Sequence, residues 1–217
     1  MKVARALAAA LPAVMLLAAW PPALLPADGL VADIYASKIV APSARELLAL
    51  LRRGGNTIYF RHAATTGFED ESKIDFGDCG SQRNLSEHGR AQARAIGAAF
   101  LRLKIPVGEV LASPFCRTAE TARLAFGRVT KSWDLYSRAQ PLTAQDMARN
   151  ELLRKRFALR PHGGVNDILV SHGSPLQVVA GELLREGEAA VVRPSGTGSF
   201  RVVARMAPEA WEKLQTR

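Results

Sequence analysis

Two histidines, His62 and His172, each stand directly after a run of hydrophobic residues. Arg61 comes immediately before the first histidine, and Arg117 follows a third hydrophobic run after Ser113-Pro114. Because arginine offers a planar fork of N–H donors that matches phosphate oxygens, Arg61 and Arg117 are candidates for a phosphoryl clamp. A neutral imidazole beside such a clamp can attack phosphorus and form a phosphohistidine. These residue types therefore indicate phosphoryl transfer, with His62 as the nucleophile.

His172 has a different predicted role. As an imidazolium, it would donate a hydrogen bond to the phosphoryl oxygens and stabilise the charge that develops in the transition state, an effect worth about 3–4 kcal/mol for a well-placed donor. Helices that begin after Ser113-Pro114 and after Gly173 would point further backbone N–H groups at the anion. This chemistry needs neither a metal ion nor a cofactor, and we expect none.

The elements that must position these residues follow from the hydrophobic pattern. Predicted helices alternate with predicted strands, which is typical of a layered α/β fold with parallel strands inside. We expect helices after the Ser43–Glu46 capping box and at 86–103, 117–126, 143–159, 174–185 and 208–214, and strands at 56–60, 110–112, 167–170, 189–192 and 199–204. Because ligands of such sheets bind beyond the carboxyl ends of the strands, His62, His172 and Arg117 should meet at one edge.

Four segments carry further information when they are taken in order. They are Arg61-His62, Asn84–Ala93 (NLSEHGRAQA), Ser113–Ala122 (SPFCRTAETA) and Val170–Gly173 (VSHG). Together they resemble the histidine phosphatase superfamily, in its phosphoglycerate-mutase-like branch, and the resemblance covers roughly Thr57 to Val192. It implies a three-layer α/β/α sandwich with a mostly parallel central sheet.

The resemblance also implies a set of site residues. His62 would carry the phosphoryl group as a phosphohistidine. Arg61, Arg117 and His172 would form the phosphate pocket, and Thr65 falls where the family often has a threonine that lines the same pocket.

The sequence departs from the family pattern at two points. Ala63 stands where the family usually has a glycine, which adds one methyl group near the pocket. The segment rich in tryptophan or tyrosine that supplies the family's proton-donating glutamate is missing. Asp134 is the nearest candidate by position, and Glu120 and Glu188 are alternatives. A weak general acid would favour good leaving groups, such as those of phosphoramidates or activated esters.

The N-terminus differs in composition from the rest of the chain. Residues 1–27 begin with Lys2 and Arg5, continue through an uncharged apolar stretch and end in a Pro- and Ala-rich segment. This order is typical of a secretory signal peptide, and a retained membrane anchor is the alternative. We expect residues 28–42 to form a linker and residues 43–217 to form one catalytic domain of an exported protein, either periplasmic or secreted.

The net charge and the cysteines bear on partners and compartment. The formal net charge of +9 favours anionic partners, and we expect a phosphorylated small molecule or envelope component as substrate, no nucleic acid, and membrane contact only through an uncleaved N-terminus. Cys79 and Cys116 are the two cysteines of the chain. In an oxidising compartment they either form a disulfide or remain as two buried thiols.

The remaining polar groups are expected to be structural. The acidic residues between positions 69 and 78 do not match the spacing of a calcium-binding loop, so we expect a solvated loop and no metal site. His88 and His162 lack an arginine neighbour of the kind found at His62, and we expect them at the surface or at helix caps. Ser113 and Ser171 are not in a nucleophile-elbow pattern, which disfavours a serine hydrolase.

Three functions are open at the level of the sequence. The first is a metal-independent phosphatase that hydrolyses a phosphomonoester or another phosphorylated molecule through a phosphohistidine. The second is a catalytically weak or inactive phosphate-binding envelope protein, because the family's proton-donor segment is missing. The third is a protein phosphohistidine phosphatase, which resembles the compact bacterial members of the family.

Overall fold

The computed structural model describes residues 42–67, 71–137, 143–196 and 198–214. All of them belong to one compact unit, Ile39–Arg217. The predicted signal or anchor at 1–27 and the predicted linker up to residue 41 lie outside the described residues. Within the described ranges, no helix combines the length and the apolar character that crossing a bilayer requires.

Six helices and six strands make up the described part of the chain. The helices are α1 (Ala44–Arg53), α2 (Glu87–Leu103), α3 (Cys116–Phe126), α4 (Ala144–Ala158), α5 (Gly173–Ala180) and α6 (Pro208–Lys213). The strands are β1 (Thr57–Arg61), β2 (Val107–Ala112), β3 (Thr130–Lys131), β4 (Asn166–Ser171), β5 (Ala189–Gly196) and β6 (Ser199–Met206).

The helix ends follow local side-chain chemistry. The predicted capping box at the start of α1 is present, because the Ser43 hydroxyl accepts from the Glu46 N–H and the Glu46 carboxylate accepts from the Ser43 N–H. Helix α5 is shorter than predicted, since it ends at Gly181, whose φ of 72° is left-handed. The residues after Gly181 form an irregular segment that returns to β5 and contributes to the site described below.

The six strands form one sheet in the order β3-β2-β4-β1-β5-β6. Neighbours from β3 to β1 are parallel, whereas β5 pairs antiparallel with both β1 and β6. The predicted mostly parallel sheet is therefore confirmed, with β5 as the reversed strand among those described. Strand β3 was not predicted, because its two exposed residues carry no hydrophobic pattern.

Helices cover both faces of this sheet, which gives the expected three layers. One face packs against α1, α2, α3 and α6 through a cluster that includes Phe60, Phe100 and Trp211. The other face packs against α4 and α5 through a cluster that includes Tyr59 and Phe157. Alternate residues of β1 thus enter opposite cores, as the period of a strand requires. Strand β1 is fixed from both sides, and its carboxyl end leads directly into His62.

Candidate active site

The carboxyl ends of β1, β2 and β4 meet at one edge of the sheet, as predicted. Arg61 at the end of β1 is in register with Ser171 at the end of β4, and the His62 N–H donates to the Ser171 carbonyl over 3.0 Å. The Ser113 N–H donates to the Val170 carbonyl of the same strand over 2.9 Å. Backbone pairing therefore brings the two predicted histidines together, and their ring centroids are 5.6 Å apart.

His62 is held as a neutral imidazole with a defined tautomer. Its Nδ1 lies 2.9 Å from the Ala63 carbonyl, which can only accept, so Nδ1 carries the proton and Nε2 keeps a free lone pair. The residue is 2% exposed. Burial first, and then the positive charges of Arg117 and Arg61, lower the pKa of His62 to about 3. A neutral ring with an unprotonated Nε2 is the form that can act as a nucleophile.

His172 faces His62 and is fixed by two polar contacts. The Tyr59 hydroxyl donates to the His172 carbonyl over 2.8 Å, and Nε2 of His172 lies 3.0 Å from the Ser113 hydroxyl. Burial, followed by the charges of Arg117 and Arg61, holds the pKa of His172 well below its ordinary value. This differs from the predicted imidazolium, because burial and the neighbouring arginines both disfavour a positive charge on the ring. A phosphoryl dianion beside the ring would act in the opposite direction and raise this pKa.

Arg117 is positioned by aromatic packing at the start of α3. Its guanidinium carbon lies 4.2 Å from the centroid of the Phe115 ring, and the side chain is 5% exposed. Phe115 also makes an edge contact with His172, with their centroids 4.9 Å apart. Arg117, Phe115 and His172 therefore form a packed set, which places the predicted arginine beside the predicted histidine.

Arg61 is anchored by the segment that follows α5. Its Nη1 donates to the Leu184 carbonyl over 2.9 Å, while Nη2 lies 3.7 Å from a carboxylate oxygen of Glu186. Nε of Arg61 is buried and has no hydrogen-bond partner among the described residues. The side chain thus has a fixed direction and a buried donor at the site, which suits an anion-binding role.

Glu186 is the site residue that the sequence did not indicate. Its carboxylate accepts from the Thr65 N–H over 3.0 Å and from the Thr65 hydroxyl over 2.8 Å, and it lies 3.7 Å from Arg61 and from Arg83. Burial alone would raise the pKa of Glu186, but the Thr65 donors, followed by the positive charge of Arg83, hold it below its ordinary value. Glu186 is therefore an ionised carboxylate that faces His62.

The sequence around Glu186 does not indicate a role in the site. The residue stands in the charged stretch Arg185-Glu186-Gly187-Glu188, which is typical of a solvated turn. The only local signal is Gly187, whose φ of 80° marks a tight turn and whose N–H donates to the His62 carbonyl over 2.8 Å. This backbone contact brings the turn to the nucleophile, and it can be recognised only from the fold.

The loop after His62 reaches its position through a close contact with α2. A Cβ atom at Gly89 would collide with the Ala64 carbonyl, so glycine is required there for the loop to approach the helix. The Ser86 hydroxyl, which caps α2, also donates to the Ala64 carbonyl over 3.2 Å. The Asn84–Ala93 motif of the sequence therefore positions the Thr65 loop and not a reacting group.

The three carboxylates considered as proton donors lie elsewhere. Asp134 is exposed in a single 3-10 turn, and its carboxylate makes no hydrogen bond or ion pair with any described residue. Glu120 accepts from Arg90 over 2.7 Å, and Glu188 accepts from Arg205 over 2.9 Å, so both are used in ion pairs. Asp134 stays a prediction, and Glu186 is the carboxylate that contacts the predicted pocket residues.

Cys79 and Cys116 form a disulfide, which decides between the two predicted alternatives. Cys116 immediately precedes Arg117, and Cys79 lies in the loop that also carries Arg83. The Cys116 N–H donates to the Gln82 side-chain oxygen over 2.9 Å, which adds a second tether between the same two segments. The disulfide thus joins the segment of one pocket arginine to the segment of another.

The other polar groups lie in structural surroundings. Asp75 and Asp78 each accept from a backbone N–H two residues later, as residues in tight turns do. Glu69 and Asp70 of the same acidic stretch lie outside the described residues. Within the described ranges, no group of three or more histidine, cysteine, aspartate or glutamate side chains has the arrangement of a metal site. His88 and His162 are exposed, as predicted.

Comparisons with known proteins agree with this geometry. The model of the histidine phosphatase superfamily (branch 1) matches residues 58–140. No curated protein sequence matches the chain significantly. Solved structures of low sequence identity share its fold, and three of them illustrate the likeness.

One is the protein histidine phosphatase SixA in complex with tungstate, at 16% identity and a TM-score of 0.50, with 70% of this chain and 97% of that chain covered. A second, from Escherichia coli, is a candidate alpha-ribazole-5'-P phosphatase at 16% identity and a TM-score of 0.53, with 70% and 97% covered. The third is the product of the open reading frame Rv3214 from Mycobacterium tuberculosis, at 18% identity and a TM-score of 0.50, with the same coverage. Residues 58–140 thus match the histidine phosphatase superfamily model, and the fold and the paired histidines of the described chain agree with that match.

Proposed function

We propose that the chain is a metal-independent phosphatase that hydrolyses a phosphomonoester, or another phosphorylated molecule, through a phosphohistidine at His62. The observation that carries this proposal is the tautomer of His62. Its Nδ1–H is engaged by the Ala63 carbonyl, which directs the free Nε2 lone pair away from the backbone. Arg117 and Arg61 lie close enough for their charges to act on both His62 and His172, which supports a pocket for a phosphoryl group.

The reaction proceeds in two displacements. In the first, Nε2 of His62 attacks phosphorus, an N–P bond forms, and the bond from phosphorus to the leaving oxygen breaks. The Nδ1–H remains hydrogen-bonded to the Ala63 carbonyl, which stabilises the positive charge that the ring acquires. In the second, a water oxygen attacks phosphorus, the N–P bond breaks, and its electron pair returns to Nε2. Arg61 and Arg117 neutralise the phosphoryl oxygens in both steps.

Glu186 is proposed as the group that moves the proton in both displacements. Its carboxylate takes a proton from the attacking water in the second step, for which an ionised group is required. In the first step, an entering phosphoryl dianion would compete for Arg61 and Arg83 and raise the pKa of Glu186, so that it binds a proton and passes it to the leaving oxygen. The carboxylate contacts of Glu186 support this role more directly than the exposed position of Asp134.

The compartment and the substrate class are also proposals. We infer an exported protein, periplasmic or secreted, because a disulfide beside the site persists only in an oxidising environment. Phosphorylated small molecules or envelope components fit this location and the positive charge of the chain. SixA, whose structure is similar, is a protein histidine phosphatase, so a protein phosphohistidine substrate is the second candidate.

The test compares two histidine variants on p-nitrophenyl phosphate at mildly acidic pH. His62→Ala should lose at least about 1,000-fold in kcat/KM, because the covalent route is closed. His88→Ala is the matched control, since it removes an exposed histidine and should keep full activity. Circular dichroism of both variants checks that the fold is retained. Undiminished activity of a folded His62→Ala protein would contradict the proposal.

A panel that includes alkyl phosphates, aryl phosphates and phosphohistidine peptides separates the two substrate candidates. A preference for phosphomonoesters supports the first, and a preference for the peptides supports the second. Binding of phosphate or vanadate without hydrolysis of any member would instead indicate an inactive phosphate-binding protein.

A further inference from the structure

A second positively charged cleft lies between β5, β6 and the end of α4. Its lining includes Arg160, Arg193 and Arg201, together with Ser195 and three small or apolar residues. The cleft encloses roughly 520 Å³, which is within the range of sites that bind small molecules. None of the residues that line it carries a negative charge. The feature is therefore an open, purely cationic hollow.

The cleft is at the end of the sheet opposite the two histidines. In the antiparallel pairing of β1 with β5, Ala189 is opposite Phe60 and Val192 is opposite Thr57. Arg193 therefore lies beyond the amino end of β1, whereas His62 follows its carboxyl end. The five residues of β1 span about 13 Å between these ends. A small substrate bound at His62 does not reach the cleft, which makes it a separate site.

The pairing of the two strands places like charges opposite each other. Arg193 of β5 and Arg201 of β6 are directly opposite in the antiparallel ladder. Like charges in such pairs destabilise a sheet, and Arg160 adds a third positive charge to the same cleft. Within the described part of the chain, the side chains of these three arginines form no hydrogen bond or ion pair with another residue.

Carboxylates neutralise the other arginine of strand β6. Arg205 of β6 lies 2.9 Å from a Glu188 oxygen and 3.6 Å from a Glu182 oxygen. The cationic cleft therefore does not reflect a general lack of acidic partners around β6. It is a local excess of positive charge that no part of the described chain balances.

We propose that this arginine cleft, formed by Arg160, Arg193 and Arg201, is a second binding site for a phosphate-bearing anion. Guanidinium groups bind phosphate oxygens in a bidentate manner, and the exposed Ser195 hydroxyl is a further donor in the lining. A single carboxylate would leave two of the three charges unbalanced, so a multiply charged phosphate ligand fits best. The site binds this ligand without taking part in the chemistry at His62.

The ligand chemistry has two sources, a soluble phosphate compound or a phospholipid headgroup. The first arm of the test measures pyrophosphate binding by titration calorimetry and fits a cleft site in addition to the pocket at His62, which both double variants retain. Arg193→Ser with Arg201→Ser is the test variant, and it should bind pyrophosphate at least about 10-fold more weakly than the parent protein. Arg45→Ser with Arg94→Ser is the control, because it removes the same charge from two exposed helix positions and should change binding less than 2-fold.

The second arm measures sedimentation with vesicles of phosphatidylcholine alone or with phosphatidylglycerol added. Loss of phosphatidylglycerol binding in the test variant only would identify a lipid headgroup, and loss of pyrophosphate binding only would identify a soluble ligand. Equal behaviour of the test and control variants in both arms would overturn the proposal. Hydrolysis of p-nitrophenyl phosphate is expected to be unchanged in both double variants, so failure of the arginine cleft and failure of the proposed phosphatase activity are separate results.

Discussion

Removing the disulfide should destabilise the domain and loosen one side of the pocket. The variant carries Cys79→Ser with Cys116→Ser, which leaves no free thiol because these are the only cysteines of the chain. The bond closes a loop with a sequence separation of 37 residues, for which the chain-entropy model gives a loss of about 4 kcal/mol in the free energy of unfolding. For a domain of this size, the melting temperature should fall by about 8–16 °C.

The functional consequence follows from what the bond connects. The Asn84 side chain donates to the Cys79 carbonyl over 2.6 Å, so the loop that carries Arg83 depends on the position of Cys79. His62 is fixed by strand pairing instead. The KM for p-nitrophenyl phosphate should therefore rise several-fold while kcat changes little.

Urea unfolding followed by tryptophan fluorescence measures the stability change, and steady-state kinetics measure the second effect. The parent protein treated with a thiol reductant is the control, because it loses the bond but keeps both side chains. A change of less than about 1 kcal/mol would refute the reasoning, since the loop would then be held by its other contacts. Those contacts include the bond from the Cys116 N–H to Gln82 and the packing of Phe76 on Phe115.

Two further predictions concern ionisable groups of the site. Glu186→Gln should lower kcat/KM for an alkyl phosphate by about 100- to 10,000-fold but for p-nitrophenyl phosphate only a few-fold, because a good leaving group needs no proton; equal losses on both substrates would contradict the proton-transfer role. Acidification from pH 7 to pH 5 should cost about 2 kcal/mol of stability through His62, because the unfolded ring binds a proton below its ordinary pKa of 6.5 and the folded ring does so only near about 3. In His62→Asn, the free energy of unfolding should therefore fall by about 2 kcal/mol less between pH 7 and pH 5, as measured by urea unfolding at each pH. An equal fall in the parent protein and the variant would show that the folded ring titrates normally.

Most of the sheet could be predicted because its strands are short apolar runs bounded by helix caps and glycines. The run before His62 and the run before His172 are buried on both faces, so their hydrophobic signal is continuous. β3 could not be predicted from such a signal, since its residues are exposed and pair only with the end of β2. The end of α5 was predicted too late, because Gly181 lies within a sequence pattern that is typical of a continuing helix.

Some residues of the site could likewise be predicted from the sequence, and others could not. His62, His172 and Arg117 could be placed because each follows a strand, and parallel strands bring their carboxyl ends to one edge. Thr65 donates to Glu186, and its predicted contact with the substrate stays a prediction. Glu186 could not be identified, because its approach depends on the backbone bond from Gly187 to His62. The arginine cleft depends in the same manner on strand register, which the sequence does not specify.

The most direct test of the account is to trap the covalent intermediate. The protein is mixed with p-nitrophenyl phosphate labelled with radioactive phosphorus, quenched within milliseconds in alkali and digested with trypsin. We expect an acid-labile, alkali-stable phosphate on the peptide of residues 62–73, in which His62 is the only histidine, and none in the His62→Ala protein. Rapid hydrolysis by the parent protein without label on this peptide would contradict a phosphohistidine at His62.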